Sequence, residues 1–199
     1  MKRKKRKKFS IIEEYKKSWD YIKKSKNFIY IAIGIFLLFL LIGFLIPAPK
    51  ILADELLKFV RDLLNQTEGL SQFELIQFII SNNVKTTFLS IFFGAIFGIF
   101  PIINTIINGY VLGFVFVLTV NNSGVWELWR ILPHGIFELP AVFISFGLGI
   151  KLGMFIFQKK KLEFFKDYFM NSLRVFLLII LPLLIIAGII EGILISLIA

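Results

Sequence analysis

Residues 86–126 read TTFLSIFFGAIFGIFPIINTIINGYVLGFVFVLTVNNSGVW, 41 residues without an Asp, Glu, Lys or Arg. A hydrocarbon core of about 30 Å takes roughly 20 helical residues to cross. One straight helix over this stretch would be about twice too long, so the chain must double back. Pro101 and Asn104 supply a helix breaker and a turn former, and the break is expected there. Spans over 86–103 and 105–120 follow, the second short enough to be partly re-entrant.

Three further apolar stretches flank this one, over 27–47, 135–157 and 175–197. The first is bounded by Lys26 and Lys50, and "IPAPK" is a poor cleavage site, so it reads as a retained anchor. The composition agrees. Hydrophobic residues are 57% of 199 and charged residues 18%, with a mean hydropathy of +0.82. Disorder needs low hydrophobicity, and a soluble globule this small could not hide so much apolar surface. The chain has no cysteine, which excludes disulfides, thiolate metal sites and cysteine nucleophiles. The expected fold is an all-α polytopic membrane bundle of about five transmembrane helices with short amphipathic interfacial helices. A basic cytoplasmic segment, 1–26, precedes a membrane domain, 27–199.

Lys and Arg set the orientation. Residues 1–26 carry twelve and 158–174 carry five, against five in 48–85 and 121–134 together. The reading is a cell-membrane protein with a cytoplasmic N-terminus and an external C-terminus. The run Lys2–Lys8 then holds its end inside against anionic lipid rather than binding nucleic acid. Lys151, within the fourth span, lies near the inner end, where its stem can snorkel. Ile12, Tyr15, Trp19 and Ile22 share a helix face suited to the inner interface. Outside, 50–82 is expected to form two short amphipathic helices broken at Asn65–Gly69. Leu52, Leu56, Phe59 and Leu63 make one stripe, and Phe73, Ile76 and Ile80 the other.

Four spans carry a GxxxG pair: Gly94 and Gly98, Gly109 and Gly113, Gly149 and Gly153, Gly188 and Gly192. Lipid tails are as apolar as leucine, so helices associate through close packing, which small residues permit. The second and third spans are expected to pair through theirs. Packing within the chain is the first reading of these faces and a homo-oligomer the alternative.

Acids inside spans are costly and face protein or water. Glu138 lies one turn into the fourth span, four residues after the lone histidine, His134. Glu191 lies near the far end of the fifth, which runs the other way. Depth therefore brings His134, Glu138 and Glu191 together in the outer leaflet, with Lys85 or Arg130 within reach. Trp126 and Trp129 suit the outer aromatic belt, and Asn82 and Asn83 suit a helix cap. Asn104 and Asn108 belong to the inner side. No HExxH is present and one His with a few Glu is thin for a metal. No nucleophile stands beside the pair. The first reading is a structural polar network, the second a proton or ion path. No cofactor or metal is expected.

The stretches "NNVKTTFLSIFFGAIFGIFPIINTIINGYVLGF", "LPHGIFELPAVFISFGLGIKLG" and "IAGIIEG" resemble the stage II sporulation protein M family of integral membrane proteins, over roughly residues 80–195. The resemblance rests on Pro133, His134 and Gly135 with Glu138, on Asn83, on Asn108, Gly109 and Gly113, and on Glu191. It implies a multi-pass protein without an assigned catalytic activity. In endospore formers the namesake helps localise cell-wall-remodelling enzymes at the outer face of the membrane. The expected function is therefore a scaffold or assembly factor with the bilayer and outer-face proteins as partners. The alternative is a small transporter or channel for a proton, ion or lipid that uses the same acids.

Overall fold

The computed structural model describes residues 10–130 and 132–198, with the side chains of 129–137 and 196–198 outside the description. The run Lys2–Lys8 and the side chains of Trp129, Arg130, Pro133 and His134 lie outside the described residues, as do the surroundings of Gly135. The described chain is helical throughout. Its elements are α1 (Ile11–Lys24), α2 (Lys26–Leu45), α3 (Lys50–Thr67), α4 (Gln72–Phe93), α5 (Ile99–Ser123), α6 (Leu132–Gly153), α7 (Lys161–Val175) and α8 (Leu181–Ile198). A π turn, Phe176–Ile180, joins α7 and α8 into one rod. Pro182 has no N–H for the carbonyl of Leu178, which accounts for the disturbed ladder there.

Among the described residues, four helices are long and apolar enough to cross a membrane: Lys26–Leu45, Ile99–Ser123, Glu138–Phe157 and Lys161–Ile195. The expected span 86–103 is not one helix. The chain turns at Gly94–Gly98, with Phe97 (φ 55°) and Gly98 (φ 69°) in the left-handed region. Pro101 stands in the first turn of α5. There the backbone N–H groups have no helical partner in any case, so proline breaks nothing. Upstream, the break after α3 falls at Glu68–Ser71, and Phe73–Ile80 is not a separate outer helix but the start of α4. Ser71 caps that helix. Its Oγ accepts from the Glu74 N–H, and the Glu74 carboxylate accepts from the Ser71 N–H at 2.9 Å. Asn82 and Asn83 are therefore mid-helix residues and not caps. The expected inner loop 158–174 is mostly the helix α7.

Neighbouring contacts fix the relative directions. In the seam between α2 and α5, Gly109 faces Phe36 and Gly113 faces Leu40 and Phe44, so the two run parallel. Between α4 and α6, the Ser145 hydroxyl donates to the Thr87 carbonyl at 2.6 Å, and Gly94 sits on Gly149, again parallel. Gly188 and Gly192 of α8 meet Ile80 and Ile76 of α4, an antiparallel pair. The expected pairing of the second and third spans is thus corrected. The α5 glycines serve α2, and Gly94 and Gly98 serve Gly149, Ile150 and Gly153 of α6. Each of the eight paired glycines meets another part of the same chain.

The rod at the centre is α6, most of which is buried between its neighbours, whereas α2 is largely exposed. Ala141, Phe146, Leu148 and Leu152 of α6, with Leu184 and Ala187 of α8, are sealed from solvent. In lipid this core is held by van der Waals packing and not by release of water.

Candidate functional site

Two polar assemblies lie at opposite ends of α6. The first is a cavity of about 480 Å³. Its walls are Leu63, Leu64 and Thr67 of α3, Leu75, Phe78, Ile79, Asn82 and Asn83 of α4, Glu138 of α6, and Glu191 and Ile195 of α8. The α4–α8 pairing, through Gly188 and Gly192, brings Glu191 up to the level where α6 carries Glu138. Both acids line this one space, as does Asn83. Lys85 is exposed on α4 and is not among the walls. His134, with Pro133 and Gly135, falls in the first turn of α6, and Arg130 ends the 3-10 turn Val125–Arg130. The side chains of Arg130, Pro133 and His134 lie outside the described residues. Gly109 and Gly113 belong to the α2 seam, and Asn108 is exposed on α5, donating to the Asn104 carbonyl at 2.8 Å. Asn104 in turn donates to the Ser90 hydroxyl at 2.8 Å, tying α5 to α4.

The second assembly surrounds Lys151. The expected snorkelling does not occur, for Lys151 is only 8% exposed. Its ammonium donates to the Ser25 hydroxyl at 2.9 Å. It also lies 4.0 Å from the centre of the Tyr21 ring and 5.3 Å from that of Tyr168. Two aromatic faces and a hydroxyl thus take the place of water around a buried cation. Burial pushes the Tyr21 phenol up, so it stays neutral, and its hydroxyl points to the Tyr168 carbonyl at 3.4 Å.

The cage depends on α1, whose inward row is not the expected stripe. Ser18 and Tyr21 are buried, while Ile12, Tyr15 and Trp19 remain exposed, free to face lipid. Glu14, Ser18, Tyr21 and Ser25 follow one another at helical spacing, and that row was the readable signal for the cage. Glu14 pairs with Arg174 of α7 and with Lys17. The hydrogen bond from Lys17, working against a loss of solvation and helped by the charges of Arg174 and Lys17, holds the Glu14 carboxyl below its ordinary value. A depressed folded value stabilises the docked helix above the unfolded glutamate value of about 4.3. That contribution is lost as pH falls through the lowered value. We therefore expect the protection of the α1 amides, with the intrinsic pH dependence of exchange divided out, to fall on acidification into this range. Glu14→Gln should remove Glu14's share of that fall.

The chain matches the family model described as stage II sporulation protein M over residues 32–194. It is also 32% identical over 119 residues to an uncharacterized protein of Methanocaldococcus jannaschii, a match covering 57% of this chain and 66% of that protein, just under two thirds of its length. No solved structure matches. The match embraces the α2–α5 seam, the central rod and both carboxylates of the cavity, and the chain belongs to the stage II sporulation protein M family.

Proposed function

We propose that this protein is a non-catalytic membrane scaffold that gathers protein partners at the outer face of the cell membrane. The observation that carries the reading is α3. It is an 18-residue amphipathic helix between α2 and α4, and none of its residues is buried. A helix kept in the chain without a packed face of its own is a surface for something else. Asp54, Glu55, Lys58, Arg61 and Asp62 give it a polar side of both signs. The Lys and Arg asymmetry supports an external position for α3, and family membership supports assembly over catalysis.

The test is site-specific photocrosslinking in native membranes. Probes at Asp54 and Lys58 should each yield the same discrete protein adduct, and a probe at Ile103, exposed on α5, should not. Equal labelling at all three positions, or none at α3, would reject the scaffold. A second reading, transport of a proton, ion or lipid, draws on the two acids lining one cavity. It requires pH-dependent flux in liposomes holding the pure chain, lost when Glu138 and Glu191 are both changed to glutamine.

A further inference from the structure

We propose that the outward face of α4 around Lys85 docks a partner's transmembrane helix that carries an aspartate or glutamate at mid-depth of the bilayer. The inference rests on the scaffold reading and deepens it, naming a partner inside the membrane as well as at its outer face.

Depth comes first. Past Lys26, α2 carries no charge up to its end at Leu45. A rise of 1.5 Å per residue puts Phe36 about 15 Å in, halfway across. The Phe36 ring meets that of Phe143 on α6, with 5.0 Å between centres. Two residues further along α6, Ser145 holds the Thr87 carbonyl of α4. These two helices run parallel, so Lys85, two residues before Thr87, stands level with Phe143 and Phe36. It is exposed there, and among the described residues no carboxylate pairs with it. Both surfaces are too far for its stem to snorkel. Asn108 of α5 lies at the same depth, beside Gly109, which faces Phe36. Its amide, however, donates to the Asn104 carbonyl at 2.8 Å. Lys85 has no such outlet among the described residues.

The depth also selects the occupant. A charge among lipid tails is costly, and intramembrane cations pair. Lipid phosphates and soluble anions stay at the two surfaces. A carboxylate reaches mid-bilayer when a helix carries it there. The rest of the face suits such a helix. Asn82, Lys85, Phe88 and Phe92 follow one another at spacings of three and four along α4, and all are exposed. The rings of Phe88 and Phe92 lie nearly parallel, 6.3 Å between centres. An ammonium and an amide offer donors to one acid, and the two rings offer packing to the apolar residues next to it.

The test places the full chain, dye-labelled at its N-terminus, in phosphatidylcholine liposomes with synthetic transmembrane helices of leucine and alanine. The centre of each peptide holds glutamate, glutamine, leucine or lysine, a position that meets Lys85 in either orientation. Binding is read by energy transfer to a dye on the peptide. Wild type should bind the glutamate peptide about fivefold or more tightly than the leucine peptide, the lower end of what polar contacts between membrane helices give in model peptides. The glutamine peptide should bind more weakly than the glutamate one. Lys85→Met should bring these two level, and Lys85→Glu should prefer the lysine peptide. Equal binding of the glutamate and leucine peptides by wild type would overturn the proposal. So would a glutamine peptide bound as tightly as the glutamate one, or a preference for glutamate that survives Lys85→Met. If Lys85→Glu does not elute as a folded species, Lys85→Met decides, since its exposed position lets the protein fold. The peptides do not engage α3, so their failure to bind would leave crosslinking at Asp54 and Lys58 standing, and the reverse holds equally.

Discussion

Replacing Gly113 with leucine should cost the detergent-solubilised protein about 3 kcal/mol or more, at the upper end of overpacking penalties. A Cβ at this position would fall against the Leu40 carbonyl oxygen and lie 2.9 Å from the Phe44 nitrogen. Those are backbone atoms of α2, which cannot swing aside as a side-chain tip can. Relief requires α2 and α5 to separate along a seam that also includes Gly43 and Gly109. Once separated, the helices lose the close van der Waals contact that holds them together in lipid. Gly34→Leu is the control, since nothing lies within 4 Å of a Cβ placed there. Thermal unfolding followed by circular dichroism should show Gly113→Leu far below wild type and Gly34→Leu beside it. Equal loss in both would mean that general helix disturbance, and not the seam, sets stability.

Lys151→Glu should destabilise the protein by several kcal/mol, while Lys151→Met stays within about 1–2 kcal/mol of wild type. The methionine retains most of the buried volume. It surrenders the attraction to the rings of Tyr21 and Tyr168 but also the cost of burying a charge. The glutamate keeps the burial and inverts the field. Its carboxylate would face the negative faces of two aromatic rings, with the Ser25 hydroxyl in place of a full cation partner. The consequence should be local as well as global. Because Tyr21 and Ser25 come from the end of α1 and its junction with α2, ejecting the glutamate should free α1. Trp19 fluorescence and amide exchange along α1 would report that release. If Lys151→Met proves as damaging as Lys151→Glu, the cage acts through the cation itself, and the ammonium–ring attraction exceeds the desolvation it offsets.

Neither effect was open to sequence reasoning in full. GxxxG rows mark where a backbone can be approached, but all four rows look alike and none carries the name of its partner. The structure gives the α5 row to α2, the Gly94–Gly98 pair to α6, and the α8 row to Ile76 and Ile80. Lys151 stood out as the lone cation of its span. Its cage, however, draws on residues more than a hundred positions away in the chain. The acids were more legible. Depth along two helices is simple arithmetic, and Glu138 and Glu191 do line one cavity. Leu63, Leu64 and Thr67 could not be foreseen there, because nothing local tells α3 which rod its last turn will cover.

What the sequence determined by itself is whatever depends on composition along the chain. Apolar length marked out the helices that can cross a membrane, and the motif residues around His134, Glu138 and Glu191 carried the family. Those properties are additive over neighbouring residues and survive without knowledge of the fold. The tertiary structure decided what depends on competition between alternatives. The reversal falls at Gly94–Gly98 and not at Pro101, because proline is harmless in a first helical turn while Gly98 readily takes the left-handed conformation. It also decided that α1 turns Ser18 and Tyr21 inward and leaves Trp19 outside. A helix at the membrane interface has two apolar environments to choose from, lipid and bundle, and only the shape of the neighbouring rods settles which face each one receives.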